Sequence, residues 1–208
     1  MHHERFLTNG PQGSRSPRVV LAHGAGAPMD SPFMNRIADG LGRGGLSVVR
    51  FEFPYMARRR EDGKRRAPDR GDVLRRSWLE VIERFAPARR LVIGGKSMGG
   101  RIASLVADEA GVAGLVCLGY PFHPAGRPER LRAAHLAQIA TPTLIVQGTR
   151  DPLGNREEIA GYVLSERVRV EFIEDGDHSL EPRKRSGSDK ERSLEQAISA
   201  VTAFVAAR

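Results

Sequence analysis

Apolar residues gather along this chain in short, nearly continuous runs, separated by stretches of helical periodicity. Five runs read as strands: "RVVLAH" (18–23), "LSVVRFEF" (46–53), "RRLVIGG" (89–95), "VAGLVCLG" (112–119) and "TPTLIVQG" (141–148). Unbroken Val/Ile/Leu content suits strands covered on both faces, as in a parallel sheet. A sixth run, "VRVEFIE" (168–174), alternates apolar with charged residues, as an edge strand does. Leu74, Trp78, Val81, Ile82 and Phe85 fall on one helical face, and Leu194, Ile198, Val201 and Val205 on another. Shorter amphipathic segments follow Ser31, Met98 and Asn155. The alternation predicts an α/β protein: a doubly wound, mostly parallel sheet of six to seven strands with helices on both faces. No repeat or linker interrupts it. Residues 1–208 therefore read as a single domain, with 1–16 as a poorly ordered or edge-strand segment.

Two charge-rich stretches break the pattern, "ARRREDGKRRAPDRGD" (57–72) and "EPRKRSGSDKER" (181–192), and both read as loops. Each follows a strand, which puts it at the carboxyl edge of a parallel sheet, where ligands bind. The net charge of +8 is thus expected near the mouth of a site. Two readings are open, a field that draws in anionic ligands and a solvated surface. The 40% apolar and 28% charged shares are those of a soluble globular chain. No apolar stretch is long enough for a membrane span, and the opening "MHHERFLTNGPQG" lacks the apolar centre of a secretory leader. With a single cysteine, Cys117, in an apolar run, a reducing cytoplasm is expected and a nucleic-acid partner is not.

The stretch "LVIGGKSMGGR" (91–101) fits two chemistries. Gly95-Lys96-Ser97 matches the end of a phosphate-binding P-loop, whose first glycine would then fall at position 90. That residue is Arg90, and Leu91-Val92-Ile93 form a strand, so no loop remains to wrap a phosphate. Gly95-Lys96-Ser97-Met98-Gly99 is also G-x-S-x-G, with a buried strand leading in and the helix-forming run "MGGRIASLVADEA" leading out. That is the turn that presents a serine nucleophile. Ser97 is the nucleophile by position.

A serine hydroxyl needs a base, and the order for this turn is serine, acid, histidine. Of six histidines, His178 in "EDGDHSL" follows the last strand, whereas His2 and His3 lie at the terminus and His135 precedes any acid candidate. Asp151, in "LIVQGTRDPLGN", follows the penultimate strand and is the orienting acid. Asp175 and Asp177 are too near His178 in sequence to reach a ring nitrogen, and Glu157 and Glu158 suit a helix start. An oxyanion hole needs two backbone N–H groups. One is that of Met98; the other comes from "HGAGAPMD" (23–30), as Ala25 or Gly26. A dinucleotide reading of that loop fails, because its third glycine position is Met29.

These motifs together resemble the α/β-hydrolase superfamily, and within it the small, lidless, dienelactone-hydrolase-like branch. The resemblance rests on "HGAGAPMDSPFM", "GGKSMGGR", "GYPFHP", "QGTRDPLGN" and "GDHS…PRK", over residues 20 to 185. It implies the triad Ser97, Asp151 and His178, no cofactor and no metal. The nucleophile of dienelactone hydrolases proper is a cysteine, so Ser97 points away from a lactone substrate. The stretch after "GLVCLGYPF" is too short for a helical cap, so the site is expected to be open and to accept short acyl groups. His23, Gly24, Gly26, Tyr120, Phe122 and His123 are candidate substrate contacts. For the last three, a rigid turn at the rim is the equal alternative. Lys96 either pairs with a carboxylate beneath the turn or adds local positive potential. The expected activity is ester hydrolysis on a small molecule, with an anionic group as the specific version, by a monomer or homodimer. The rival is a non-catalytic binding module that docks acidic partners through the basic loops.

Overall fold

The structure is a computed structural model that describes residues 6–11, 13, 18–184, 187 and 189–208. His2 and His3 lie outside the described residues. Seven strands form one sheet: β1 (Leu7–Asn9), β2 (Arg18–Ala22), β3 (Val48–Phe51), β4 (Leu91–Lys96), β5 (Gly114–Leu118), β6 (Thr143–Gly148) and β7 (Val168–Ile173). Their spatial order is β1-β3-β2-β4-β5-β6-β7. All neighbours are parallel except the short edge strand β1, which runs antiparallel to β3. Strand order reverses between β2 and β4, and the crevice beyond their carboxyl ends is where a doubly wound sheet binds ligands.

The unbroken apolar runs serve two cores at once, because successive side chains point to opposite faces. Val19, Leu21, Val92, Val116 and Leu144 pack on one face with helices α1 (Pro32–Arg43) and α7 (Lys190–Ala206). Val20, Ala22, Ile93, Leu115 and Ile145 pack on the other with α2 (Pro54–Asp62), α3 (Gly71–Arg84) and α4 (Met98–Ser104). Cys117 is a buried member of that second core. Short helices α5 (Ala107–Ala110) and α6 (Arg156–Ala160) complete the set. β7 is the other edge strand, and its half-exposed alternation follows from that place. No helix among the described residues is long and apolar enough to cross a membrane.

One expectation is corrected. Residues 57–72 are not a continuous loop, since their first part belongs to α2 and their end opens α3. Pro54 at the first helical position pre-sets φ, buried Tyr55 and Met56 anchor the first turn, and Gly63 closes the helix in a left-handed cap. Arginine and glutamate are good helix formers, so a charged run without apolar periodicity stays helical once anchored. The charge is also largely matched. Arg60 bridges Asp30 at 2.7 Å and Glu52 at 2.6 Å, Arg58 meets Asp69 and Arg66 meets Asp62. The second basic stretch, 181–192, is likewise not all loop, because Asp189 caps α7 and residues 190–192 form its first turn; in it Arg183 meets Asp175 and Lys190 meets Glu181, while residues 185, 186 and 188 lie outside the described residues.

Candidate active site

Every candidate catalytic group sits at the carboxyl edge of the parallel strands. Ser97 follows β4 directly, Asp151 lies just beyond β6, His178 just beyond β7, and the 23–30 loop leaves β2. Ser97 has φ 51° and ψ −117°, a backbone that side-chain-bearing residues rarely adopt. The turn is held by the Ser97 N–H, which donates to the Leu118 carbonyl at 3.0 Å. Its glycines are demanded by proximity. A Cβ on Gly95 would stand 2.0 Å from the Ala22 carbonyl oxygen, and one on Gly99 2.6 Å from the same atom. From the α3 side, the Trp78 indole N–H donates to the Gly99 carbonyl at 3.3 Å and pins the start of α4.

The structure brings Ser97, His178 and Asp151 into one chain of contacts. Ser97 Oγ lies 2.8 Å from His178 Nε2, and His178 Nδ1 lies 2.8 Å from Asp151 Oδ2. Asp151 has no exposed surface. Its Oδ1 accepts the Leu153 N–H at 2.8 Å, and its Oδ2 also accepts from the Gln147 amide at 2.9 Å. The competing acids are engaged elsewhere. Asp177 Oδ1 accepts the Ser179 and Glu181 N–H groups, Asp175 pairs with Arg150 and Arg183, and Glu158 closes a capping box with Asn155.

The 23–30 loop is fastened through its carbonyls. Tyr55 Oη donates to the Ala25 carbonyl at 2.9 Å, Arg59 to that of Gly26 at 3.2 Å, and buried Arg50 to that of Met29 at 2.8 Å. Burial raises the Tyr55 phenol above its ordinary value, which keeps it a neutral donor. The Ala25 and Gly26 N–H groups have no hydrogen-bond partner among the described residues, and both residues are exposed. Met98 is the first residue of α4, where an N–H lies outside the helical ladder. Two backbone donors are therefore free on either side of the crevice, with Ala25 and Gly26 equally open as the second.

Four expected substrate contacts have a different task. His23 has no exposed surface; its Nδ1 faces the Gly24 carbonyl at 2.7 Å and its Nε2 accepts the Phe53 N–H at 3.1 Å. Burial first of all lowers its pKa, so the ring is neutral and ties β2 to the segment after β3. Tyr120 and Phe122 are fully buried, and His123, 2% exposed, is held between the Pro124 carbonyl and Glu158. The Phe122 ring packs between those of Tyr120 and Tyr162, at centroid distances of 4.8 and 5.3 Å, so this segment is the rigid turn at the rim. Gly24 is half-buried beside Lys96 and Ser97. Between β5 and β6 the chain makes only a short turn of 3-10 helix, Ala134–Ala137, so no helical cap is inserted at that connection.

Lys96 pairs with no carboxylate among the described residues. Its ammonium donates to the backbone carbonyl of His178 and stands 5.4 Å from the Phe33 ring centroid. Burial pushes its pKa down to about 8, against the opposing pull of Asp151 and Asp177. Gln147, which the sequence reading passes over, joins Asp151 to the rim: its amide donates to the Tyr120 and Gly154 carbonyls, and its Oε1 accepts the Tyr120 N–H at 2.7 Å. The available signal is one polar residue closing an otherwise apolar strand run, four positions before the acid.

A family model described as "Alpha/beta hydrolase domain" matches residues 15–206, and the chain belongs to this family. Solved structures share the fold. A lidless a/b serine hydrolase from Xanthomonas campestris is 18% identical with a TM-score of 0.67, over 97% of this chain and 87% of that one. A dienelactone hydrolase from Anabaena variabilis is 21% identical with a TM-score of 0.70, over 97% and 90%. The esterase domain of a Rhodothermus marinus protein is 15% identical with a TM-score of 0.67, over 95% and 90%.

Proposed function

We propose that this protein is a serine hydrolase that cleaves carboxylic esters through an acyl-enzyme on Ser97. The observation that carries the reading is the unbroken relay from Ser97 Oγ through the His178 ring to buried Asp151, with both contacts at 2.8 Å. His178 Nε2 takes the hydroxyl proton as Oγ attacks the ester carbonyl, and Asp151 stabilises the imidazolium that results. The carbonyl oxygen gathers negative charge between the Met98 N–H and that of Ala25 or Gly26. His178 returns its proton to the departing alkoxide, then takes one from water to release the acid. An esterase domain among the fold neighbours agrees with this choice of bond. The uncapped crevice favours short acyl chains or accessible ester groups.

The test pairs a fluorophosphonate probe with p-nitrophenyl acetate turnover. The native chain is expected to be labelled at Ser97, and Ser97→Ala to lose labelling and on the order of 10³-fold or more of kcat. Native protein that resists the probe while binding polyanions in a salt-sensitive way would instead support a non-catalytic docking module.

A further inference from the structure

We propose that Asp175 is a positioning residue for the base: its carboxylate closes the loop that carries His178 and ties it to the loop that carries Asp151. The catalytic consequence rests on the esterase reading above, whereas the geometry stands without it. His178 meets Asp151 only if two connections that leave different strands keep their register to within a fraction of an ångström. Backbone bonds set that register near the sheet. The Thr149 N–H donates to the Ile173 carbonyl at 3.0 Å, and the Arg150 N–H to that of Gly176 at 2.9 Å. Past Gly176 the described residues show no further backbone bond between the two connections. Side chains carry the register from there.

Asp175 is buried and has φ 56°, a left-handed backbone that aspartate tolerates better than most residues. At this turn its N–H donates to the Thr149 hydroxyl at 2.9 Å. Its Oδ2 accepts the Arg183 N–H at 2.8 Å, and its Oδ1 accepts from Arg183 Nε at 2.7 Å. Those two bonds close residues 175–183 into a ring with His178 inside it. The same Oδ1 lies 2.7 Å from Arg150 Nε, and Arg150 is the residue before Asp151. One carboxylate therefore holds both ends of the base's loop and the neighbour of the acid.

The other anchors of this loop do a different job. Leu180 is fully buried in the core, and the Lys96 ammonium holds the His178 carbonyl, so both fasten the loop to the sheet. Neither bonds the Asp151 connection among the described residues. Apolar packing does not join the two connections here, because Thr149, Arg150, Asp175 and Arg183 line a polar cavity of about 430 Å³. Several charge-assisted donors on one carboxylate fix direction as well as distance. Arg156 lines the same cavity, but its partner is the exposed Glu174, at 3.0 Å, and exposed pairs contribute little.

The experiment compares Asp175→Asn, Arg150→Met and Arg156→Met with the native chain. Asparagine accepts positive φ as aspartate does, so Asp175→Asn keeps the backbone and removes the charge that two guanidiniums share. The first readout is the far-downfield NMR resonance of the His178 Nδ1 proton bonded to a carboxylate. It is expected in the native chain and in Arg156→Met, and lost or moved upfield in Asp175→Asn and Arg150→Met. The second is p-nitrophenyl acetate turnover. For Asp175→Asn kcat should fall on the order of 10²-fold with KM little changed, because a misplaced base slows chemistry and leaves binding alone. Arg150→Met alters a half-buried side chain and keeps the question answerable if Asp175→Asn folds poorly. A native resonance and native kcat in the folded variants overturn the positioning role, even where those variants unfold in less urea. If that happens while the fluorophosphonate labels Ser97, the esterase reading survives and this inference alone falls. If native Ser97 is not labelled, the esterase reading fails, and the resonance still decides whether Asp175 sets the register of His178.

Discussion

His178 Nδ1 lies 2.8 Å from Asp151 Oδ2, although the two residues arrive on separate connections after β7 and β6. In the proposed mechanism Asp151, closed to water, accepts the hydrogen bond from the Nδ1 proton and leaves Nε2 to face Ser97 as acceptor. Asp151→Asn keeps the shape but lets an amide NH₂ meet Nδ1, which favours the other tautomer. The expected result is a loss of kcat on the order of 10⁴-fold for p-nitrophenyl acetate, with KM little changed. A loss below about tenfold contradicts the orienting role.

Gln147 positions that carboxylate without touching the reacting atoms. Gln147→Leu strands the Tyr120 N–H and removes a donor from Asp151, both fully buried. Unfolding in urea should show a loss of at least about 2 kcal/mol. Gln147→Glu is the sharper test, because it sets a second carboxylate against Asp151 and makes the pair hold a proton to higher pH. The acidic limb of kcat/KM should move upward in pH, a change that a merely structural role leaves in place.

The sheet was readable because each buried strand must be apolar on both faces, and the placing of Ser97, Asp151 and His178 follows from the strand that each one trails. Ion pairing was not readable, since Arg60 meets Asp30 and Glu52 through elements distant in sequence. The helical start at Pro54 was hidden by the charge around it. His23 and His123 looked like site residues because loops after parallel strands line ligand crevices. Only packing reveals that their rings turn inward to bond backbone groups. Gln147 shares that limit, for a buried polar residue declares its partners only once the chain has folded.

Lys96 offers a test of how the His178 loop is held. Its ordinary pKa of 10.5 is lowered to about 8 by burial, and among the described residues no carboxylate bonds the ammonium to offset that cost. The unfolded chain therefore binds more protons than the folded one between these two values. Stability contributed by this group is complete above 10.5 and is lost as pH falls to about 8. Lys96→Met cannot titrate, while every other group cancels in the comparison. The unfolding free energy of the native chain should thus gain on that of Lys96→Met as pH rises from 8 to 10.5, and the difference should be level below 8. Urea denaturation of both proteins at neutral pH and at two points within the window measures it. A difference that stays constant, or moves toward the variant, would mean that the Lys96 ammonium is as well solvated beside His178 as it is in water.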